Sequence, residues 1–143
     1  MANVEFEDNT IEVIGAIEQS INIALEECAG ALESRVKRNT RVAKKQGGDT
    51  KNSWTHYVDE KRHIAYVGNP KQNAIWEEYG TGEYAVTDDG VPSGKGRKGG
   101  WAYQDEEGKW HFTYGKKPSR ALHKAVTSTK RKIIKRLQSA LKG

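Results

Sequence analysis

Ala74-Ile75-Trp76-Glu77-Glu78-Tyr79-Gly80-Thr81-Gly82, near the middle of the chain, is the least generic segment, and the rest is arranged around it. An aromatic and acidic cluster runs there directly into a glycine turn. On one helical turn Trp76 and Tyr79 share a face while Glu77 and Glu78 point elsewhere. Gly80 and Gly82, on either side of Thr81, can take backbone angles that residues with a Cβ avoid, so they end the turn and redirect the chain. The pattern is that of a short helix anchored by two aromatics and stopped by glycine. It holds no nucleophile with a neighbouring base, so it speaks for shape and contact rather than chemistry.

Outward from this stretch, two amphipathic helices bracket a strand-rich middle. On the N-terminal side, Ile14, Ile17, Ile21, Leu25, Cys28, Leu32 and Val36 recur at spacings of three and four, one apolar stripe on a helix expected from about residue 10 to 45. Asn9 or Thr10 can cap its start. Glu12 suits the positive end of its dipole, Lys44 and Lys45 suit the other end, and Gly47-Gly48 would stop it. On the C-terminal side, Pro118-Ser119 opens a second helix, expected from about 119 to 141, with Leu122, Val126, Ile133, Leu137 and Leu141 at helical spacing.

Between the helices, Ser53 to Asp59 and His63 to Val67 form one expected hairpin, turning through Glu60-Lys61-Arg62. Trp101 to Gln104 and Lys109 to Tyr114 form a second, turning through Asp105-Glu106-Glu107-Gly108. Period two within each strand suggests that Trp101, Tyr103, Trp110 and Phe112 build one aromatic face. Glu83 to Gly100 is long and glycine-rich, and a mobile basic loop is expected there. Its Gly-Lys-Gly-Arg run lacks the spacing and the Ser or Thr of a phosphate-binding loop. The fold class is therefore α+β: a long helix, about four antiparallel strands from two hairpins over about 52–115, and a C-terminal helix packed on the sheet.

At 143 residues one domain spanning 1–143 is expected. A hydrophobic content of 35% and a mean hydropathy of −0.86 are low for a chain that must bury a core alone, which points to long exposed helices, loops, or surface completed by a partner. No apolar run approaches the ~20 residues that cross a bilayer, so no membrane partner is expected. Cys28 is the sole cysteine and reads as a small buried hydrophobe.

Net charge +5 hides a segregation along the chain. From Met1 to Ser34 the charges of known sign are all negative: Glu5, Glu7, Asp8, Glu12, Glu18, Glu26, Glu27 and Glu33. From Lys116 onward all are positive, with Lys124, Lys130, Arg131, Lys135 and Arg136 forming a candidate basic contact face. Such segments can attract each other within a subunit or between neighbours, or the basic one can face nucleic acid.

Catalysis has no visible set of residues. His56, His63, His111 and His123 show no compact ligand spacing, although His56 and His63 sit at opposite ends of one expected hairpin and could meet across it. The adjacent acids Glu77-Glu78 and Asp88-Asp89 point apart on any regular element, so no acid and base pair is implied. The chain is read as non-enzymatic, without catalytic residues, metal or cofactor.

The order of segments resembles the tail-completion or head-tail-joining proteins of long-tailed bacteriophages, minor structural proteins of the virion. Asp49-Thr50-Lys51-Asn52-Ser53-Trp54, Tyr66-Val67-Gly68-Asn69-Pro70, Glu78-Tyr79-Gly80-Thr81-Gly82 and Pro118-Ser119-Arg120-Ala121-Leu122 carry the resemblance, which covers nearly the whole chain. The Trp101 to Trp110 hairpin is similar to an insertion in members from prophages of Gram-positive bacteria. Lys51-Asn52 departs from the glycine and basic-hydrophobic pair common in the family. The resemblance implies a virion building block that forms a homo-oligomeric ring, meets other neck and tail proteins and touches passing DNA without specificity. It implies assembly in the host cytoplasm, and it makes Trp76, Glu77, Glu78, Tyr79, Gly80, Thr81 and Gly82 a signature with a role in subunit contact. The alternative from another class is a basic nucleic-acid-binding protein of phage or prophage origin, using Lys130 to Arg136 and stacking on Trp101 and Trp110.

Overall fold

The computed structural model describes residues 8–42 and 48–142. The elements run α1 (Thr10–Asn39), α2 (Asp49–Asn52), β1 (Thr55–Asp59), β2 (Ile64–Gly68), α3 (Gln72–Tyr79), a 3-10 turn (Gly82–Tyr84), β3 (Trp101–Gln104), β4 (Trp110–Thr113) and α4 (Ala121–Leu141). The α+β class, both hairpins and both long helices are those expected from the sequence. The strands pair as two separate two-stranded antiparallel sheets, β1-β2 and β3-β4. Just past β4 the backbone bonds to the 81–83 segment instead: Thr81 N–H donates to Lys116 O at 2.9 Å and Glu83 N–H to Tyr114 O at 2.9 Å. Residues 81–83 thus take up pairing that another strand would need.

α1 is one uninterrupted helix of 30 residues, roughly 45 Å at 1.5 Å per residue, with Gly15 and Gly30 inside it. It stops at Asn39, short of the expected residue 45; Lys44, Lys45 and Gly47 lie outside the described residues, as do Glu5 and Glu7. The stop coincides with a contact from beyond the helix. Thr40 turns extended, its hydroxyl donates to Val36 O at 2.7 Å, and it accepts the Trp54 indole N–H at 2.9 Å. The buried indole thereby has a partner for its polar edge, as a buried tryptophan requires.

That contact sits in the core. Val36, Trp54, Ala74 and Ala125 are buried together, with Leu32, Val67 and Leu122 packed against them. α4 runs antiparallel to α1: Asn39 Nδ2 donates to Ala121 O at 3.2 Å near one end, and Arg136 grips Glu27 further along. Ala121, Ala125 and Ala140 are the buried residues of α4, so the two helices approach over small side chains. Val36 is the only large side chain fully buried among the described residues. This is a thin core for a chain of 143 residues.

The expected aromatic face on the second hairpin does not form. The register pairs Trp101 with Thr113, Ala102 with Phe112, Tyr103 with His111 and Gln104 with Trp110. Odd positions oppose odd positions, so Trp101 and Tyr103 lie on one face while Trp110 and Phe112 lie on the other. The turn sets this register: Asp105 N–H donates to Lys109 O at 2.9 Å, and the Asp105 carboxylate accepts the N–H groups of Glu107 and Lys109 at 2.9 and 2.8 Å. On the first hairpin His56 opposes Val67, and His63 precedes β2, so these histidines do not meet.

The segment after the 3-10 turn is bonded back onto the fold. Val86 bridges Pro92, Val86 N–H donates to Tyr79 O at 2.8 Å, and Gly99 N–H donates to the Glu83 carboxylate at 3.1 Å.

His56 ties β1 to α1. Its Nε2 lies 2.5 Å from Glu26 Oε1 and its Nδ1 lies 3.3 Å from Glu33 Oε2. The Glu26 carboxylate, with Glu33 assisting, raises the imidazole pKa above its ordinary 6.5 despite some desolvation. A raised folded-state pKa gives stability that is fully present below the ordinary value and lost as pH rises through the folded value. The melting-temperature difference between wild type and His56→Gln should therefore be larger at about pH 6 than at about pH 9. A difference independent of pH would show that the protonated ring contributes nothing. In the core, Trp54→Ala should cost about 3–5 kcal/mol in chemical denaturation.

Candidate functional site

α3 is short, and its two buried residues, Ala74 and Glu78, are one helical turn apart on the same face. Glu78 is only 6% exposed. Its position is explained by α4, whose first backbone N–H groups have no partner within the helix. Arg120 precedes that helix with φ 57°, ψ 35° and supplies no side-chain cap. Glu78 supplies one from another element: Leu122 N–H donates to Oε2 at 2.8 Å and His123 N–H donates to Oε1 at 3.1 Å. These are the second and third helical residues, the N–H groups that a capping side chain ordinarily serves. The carboxylate also lies at the positive end of the α4 dipole.

Arg120 completes the junction. Its Nη1 and Nη2 donate to Thr87 O at 3.3 Å and Asp88 O at 2.5 Å, and its Nε lies 3.9 Å from Glu78 Oε1. Its guanidinium sits over the Tyr79 ring, 5.5 Å from the centroid. A hydrogen bond to Asp88, with burial adding to it, raises the Tyr79 phenol above its ordinary pKa. A non-glycine residue in the left-handed region is held at some cost, and here four contacts of one side chain hold it.

Glu77 faces the other side of the junction. Its Oε2 accepts from Arg41 Nε at 3.0 Å, and its Oε1 pairs with Lys116. Its backbone carbonyl accepts from the Ser119 N–H at 2.6 Å and the Ser119 hydroxyl at 3.0 Å. Arg41 Nη2 also donates to Lys117 O at 2.8 Å, so the chain leaving α1 is fastened at the same place.

The two glycines behave as expected of the turn, and more is asked of them than conformation. Gly80 has φ 72° and Gly82 has φ 61°. A Cβ on Gly80 would come within 2.6 Å of Lys116 O and 2.9 Å of Pro118 Cδ, and one on Gly82 would collide with Tyr114 O. Thr81 sits between them, its hydroxyl accepting the Lys116 N–H at 2.8 Å. The backbone of 80–82 therefore lies directly against that of 114–118.

Trp76 corrects the sequence reading. It is 44% exposed, so the anchors of α3 are Ala74, Glu78 and the half-buried Tyr79, and no buried indole holds this turn. The reason is the i, i+4 face: Ala74 and Glu78 point to α4, which turns Ile75 and Trp76 outward. Glu78, read as pointing away from the face that Trp76 and Tyr79 share, is the buried acid. Its only sequence signal is its place one turn after Ala74 on the face that packs.

On the candidate basic face, Lys124, Lys130, Arg131 and Lys135 are exposed, and none of them forms an ion pair among the described residues. Arg136 is separate from them. It is half-buried and bidentate to Glu27, with Nε–Oε2 2.7 Å and Nη2–Oε1 3.2 Å. This bond draws the Glu27 carboxyl below its usual range and pushes the Arg136 guanidinium up. The attraction between acidic and basic segments is thus met within the chain at one point among the described residues. Trp101 and Trp110, on opposite faces of their hairpin, do not form a common stacking platform.

Among the described residues no three His, Cys, Asp or Glu side chains converge to hold a metal, and no helix is long and apolar enough to cross a membrane. Burial raises the Cys28 thiol pKa.

Removing the trans cap in Glu78→Ala should destabilise the chain by about 2 kcal/mol, the upper end for a lost cap. Trp76→Ala should change stability by less than about 1 kcal/mol, as expected for a side chain largely in solvent. Denaturant titration of both variants tests the assignment, which fails if their order is reversed. Comparison with known proteins finds no family model, curated protein or solved structure that matches the chain.

Proposed function

We propose that the chain is a non-enzymatic structural subunit of a bacteriophage virion, acting in tail completion or head-tail joining as a member of a homo-oligomeric ring. The reading starts from the order of sequence segments that resemble that family, and one structural observation supports it most. The buried core is thin, while large apolar side chains stand in solvent at several separate places. Ile11 is 88% exposed at the start of α1, Trp110 and Phe112 are 66% and 60% exposed on the outer face of the second hairpin, and Ile75 and Trp76 lie uncovered on α3. Monomeric proteins seldom leave so much apolar surface open, and distinct patches suit a subunit with neighbours on more than one side.

In this reading the Glu77 to Gly82 part of the signature has an internal role that precedes any contact. It fixes the start of α4 and the base of the second hairpin, the two elements that present exposed surface. Within the signature the exposed Trp76, with Ile75 next to it, is left for subunit contact. Lys124, Lys130, Arg131, Lys132 and Lys135 of α4, exposed and without an ion pair among the described residues, favour a second reading, a basic protein that binds nucleic acid, or a ring subunit that touches passing DNA.

A phage deprived of this chain should accumulate separate heads and tails, and purified particles should contain the chain in a fixed copy number set by the ring. Complete infectious particles made without it would overturn the proposal. Tight, saturable DNA binding by the monomer together with absence from particles would establish the second reading instead.

A further inference from the structure

The geometry points to a head-to-tail contact in which the outer face of α4 of one copy lies in the groove between α1 and the β1-β2 hairpin of the next. It rests on the assembly reading above and names the two surfaces that would meet. The groove encloses about 590 Å³, and Glu18, Asn22, Ile23, Glu26, Val58 and Glu60 are among the residues that line it. Asn22 braces its rim, with Nδ2 donating to Glu60 O at 3.3 Å and Oδ1 lying 3.0 Å from His63 Nδ1. Glu26 is engaged by His56 and Glu27 by Arg136, whereas Glu18 and Glu60 form no ion pair among the described residues. Ile23, beside them, is 51% exposed. The groove thus offers an uncovered isoleucine flanked by two carboxylates with no counter-ion.

α4 carries the complement. Lys130 and Ile134 form one row along the helix, and Arg131 and Lys135 form the adjacent row. This side is turned away from Ala125 and Ala140, the residues that pack inward. Ile134 is 44% exposed, and the three cations have no ion pair among the described residues. An isoleucine ringed by cations therefore matches an isoleucine beside free carboxylates. A chain's own α4 cannot make this contact, because its inward face lies along α1, Arg136 is held on Glu27 and its start is held by Glu78. The two patches differ, so each copy offers one of each and the contact propagates around a ring. A polyanion would satisfy the cations of α4 but would leave both isoleucines in water, which favours a second copy as the occupant.

A charge exchange tests this directly. Wild type should self-associate at low salt, and more weakly as salt screens the charges. Lys130→Glu with Arg131→Glu and Lys135→Glu should weaken association by about tenfold or more, and so should Glu18→Lys with Glu60→Lys, with circular dichroism and melting temperature near wild type. An equimolar mixture of the two variants should regain association, because each groove then meets an α4 of opposite sign. A single chain carrying all five changes should regain it alone. The inference is overturned if wild type stays monomeric, if either reversal leaves association unchanged, or if the mixture stays monomeric. It is also overturned if the α4 reversal abolishes binding to duplex DNA while association persists. Wild-type association through some other surface would remove this contact and leave the assembly reading standing. Absence of the chain from particles removes that reading whatever the exchange shows.

Discussion

One buried carboxylate couples the two halves of the molecule. Glu78, at the end of a helix of 8 residues, accepts the N–H groups of Leu122 and His123, 44 and 45 residues further on. An uncapped helix start facing protein would leave backbone donors unsatisfied, and a buried carboxylate without donors would be driven to protonate. Each group resolves the other's difficulty. The arrangement places the α4 start, the α3 end and the 87–88 turn within reach of one arginine, Arg120.

Much else follows from that junction. With its start fixed, α4 lies along α1 over alanines, and the small side chains allow close approach while burying little area per residue. The core that results is centred on Val36, Trp54, Ala74 and Ala125, three of them small or medium in size. Such a core gives modest stability, so polar fastenings at its edges carry unusual weight: Trp54 on Thr40, Arg41 on Glu77 and Lys117, and His56 on Glu26.

The second hairpin shows the same economy. Its base is held where Thr81 and Glu83 bond to 114–116, and beyond that base both faces of a two-stranded sheet are open. Two strands alone rarely hold their shape without support, and here the Asp105 turn, with His111 Nε2 2.7 Å from Asp105 Oδ2, supplies it. The imidazole keeps the Asp105 carboxyl below its usual range, which favours the ionised form that accepts the turn's N–H groups.

The sequence by itself determined the elements. Apolar residues at three and four spacing marked α1 and α4, β-rich runs bounded by turn residues marked both hairpins, and Gly80 and Gly82 marked a forced change of direction, because these signals are local properties of the backbone and of side-chain periodicity. Tertiary structure alone decided which side chains in those elements matter. Thr40, where α1 stops, accepts the indole N–H of Trp54, a partner outside the helix. Trp76 was left in solvent because Ala74 and Glu78 share the face that meets α4. The hairpin register, and with it the separation of Trp101 from Trp110, is set inside the Asp105 turn, which is local but which strand periodicity alone does not report. Glu78 looks like any surface acid in the sequence, and its role exists only because a helix start 44 residues away needed hydrogen-bond acceptors. A non-local need of that kind leaves no periodic trace in the chain.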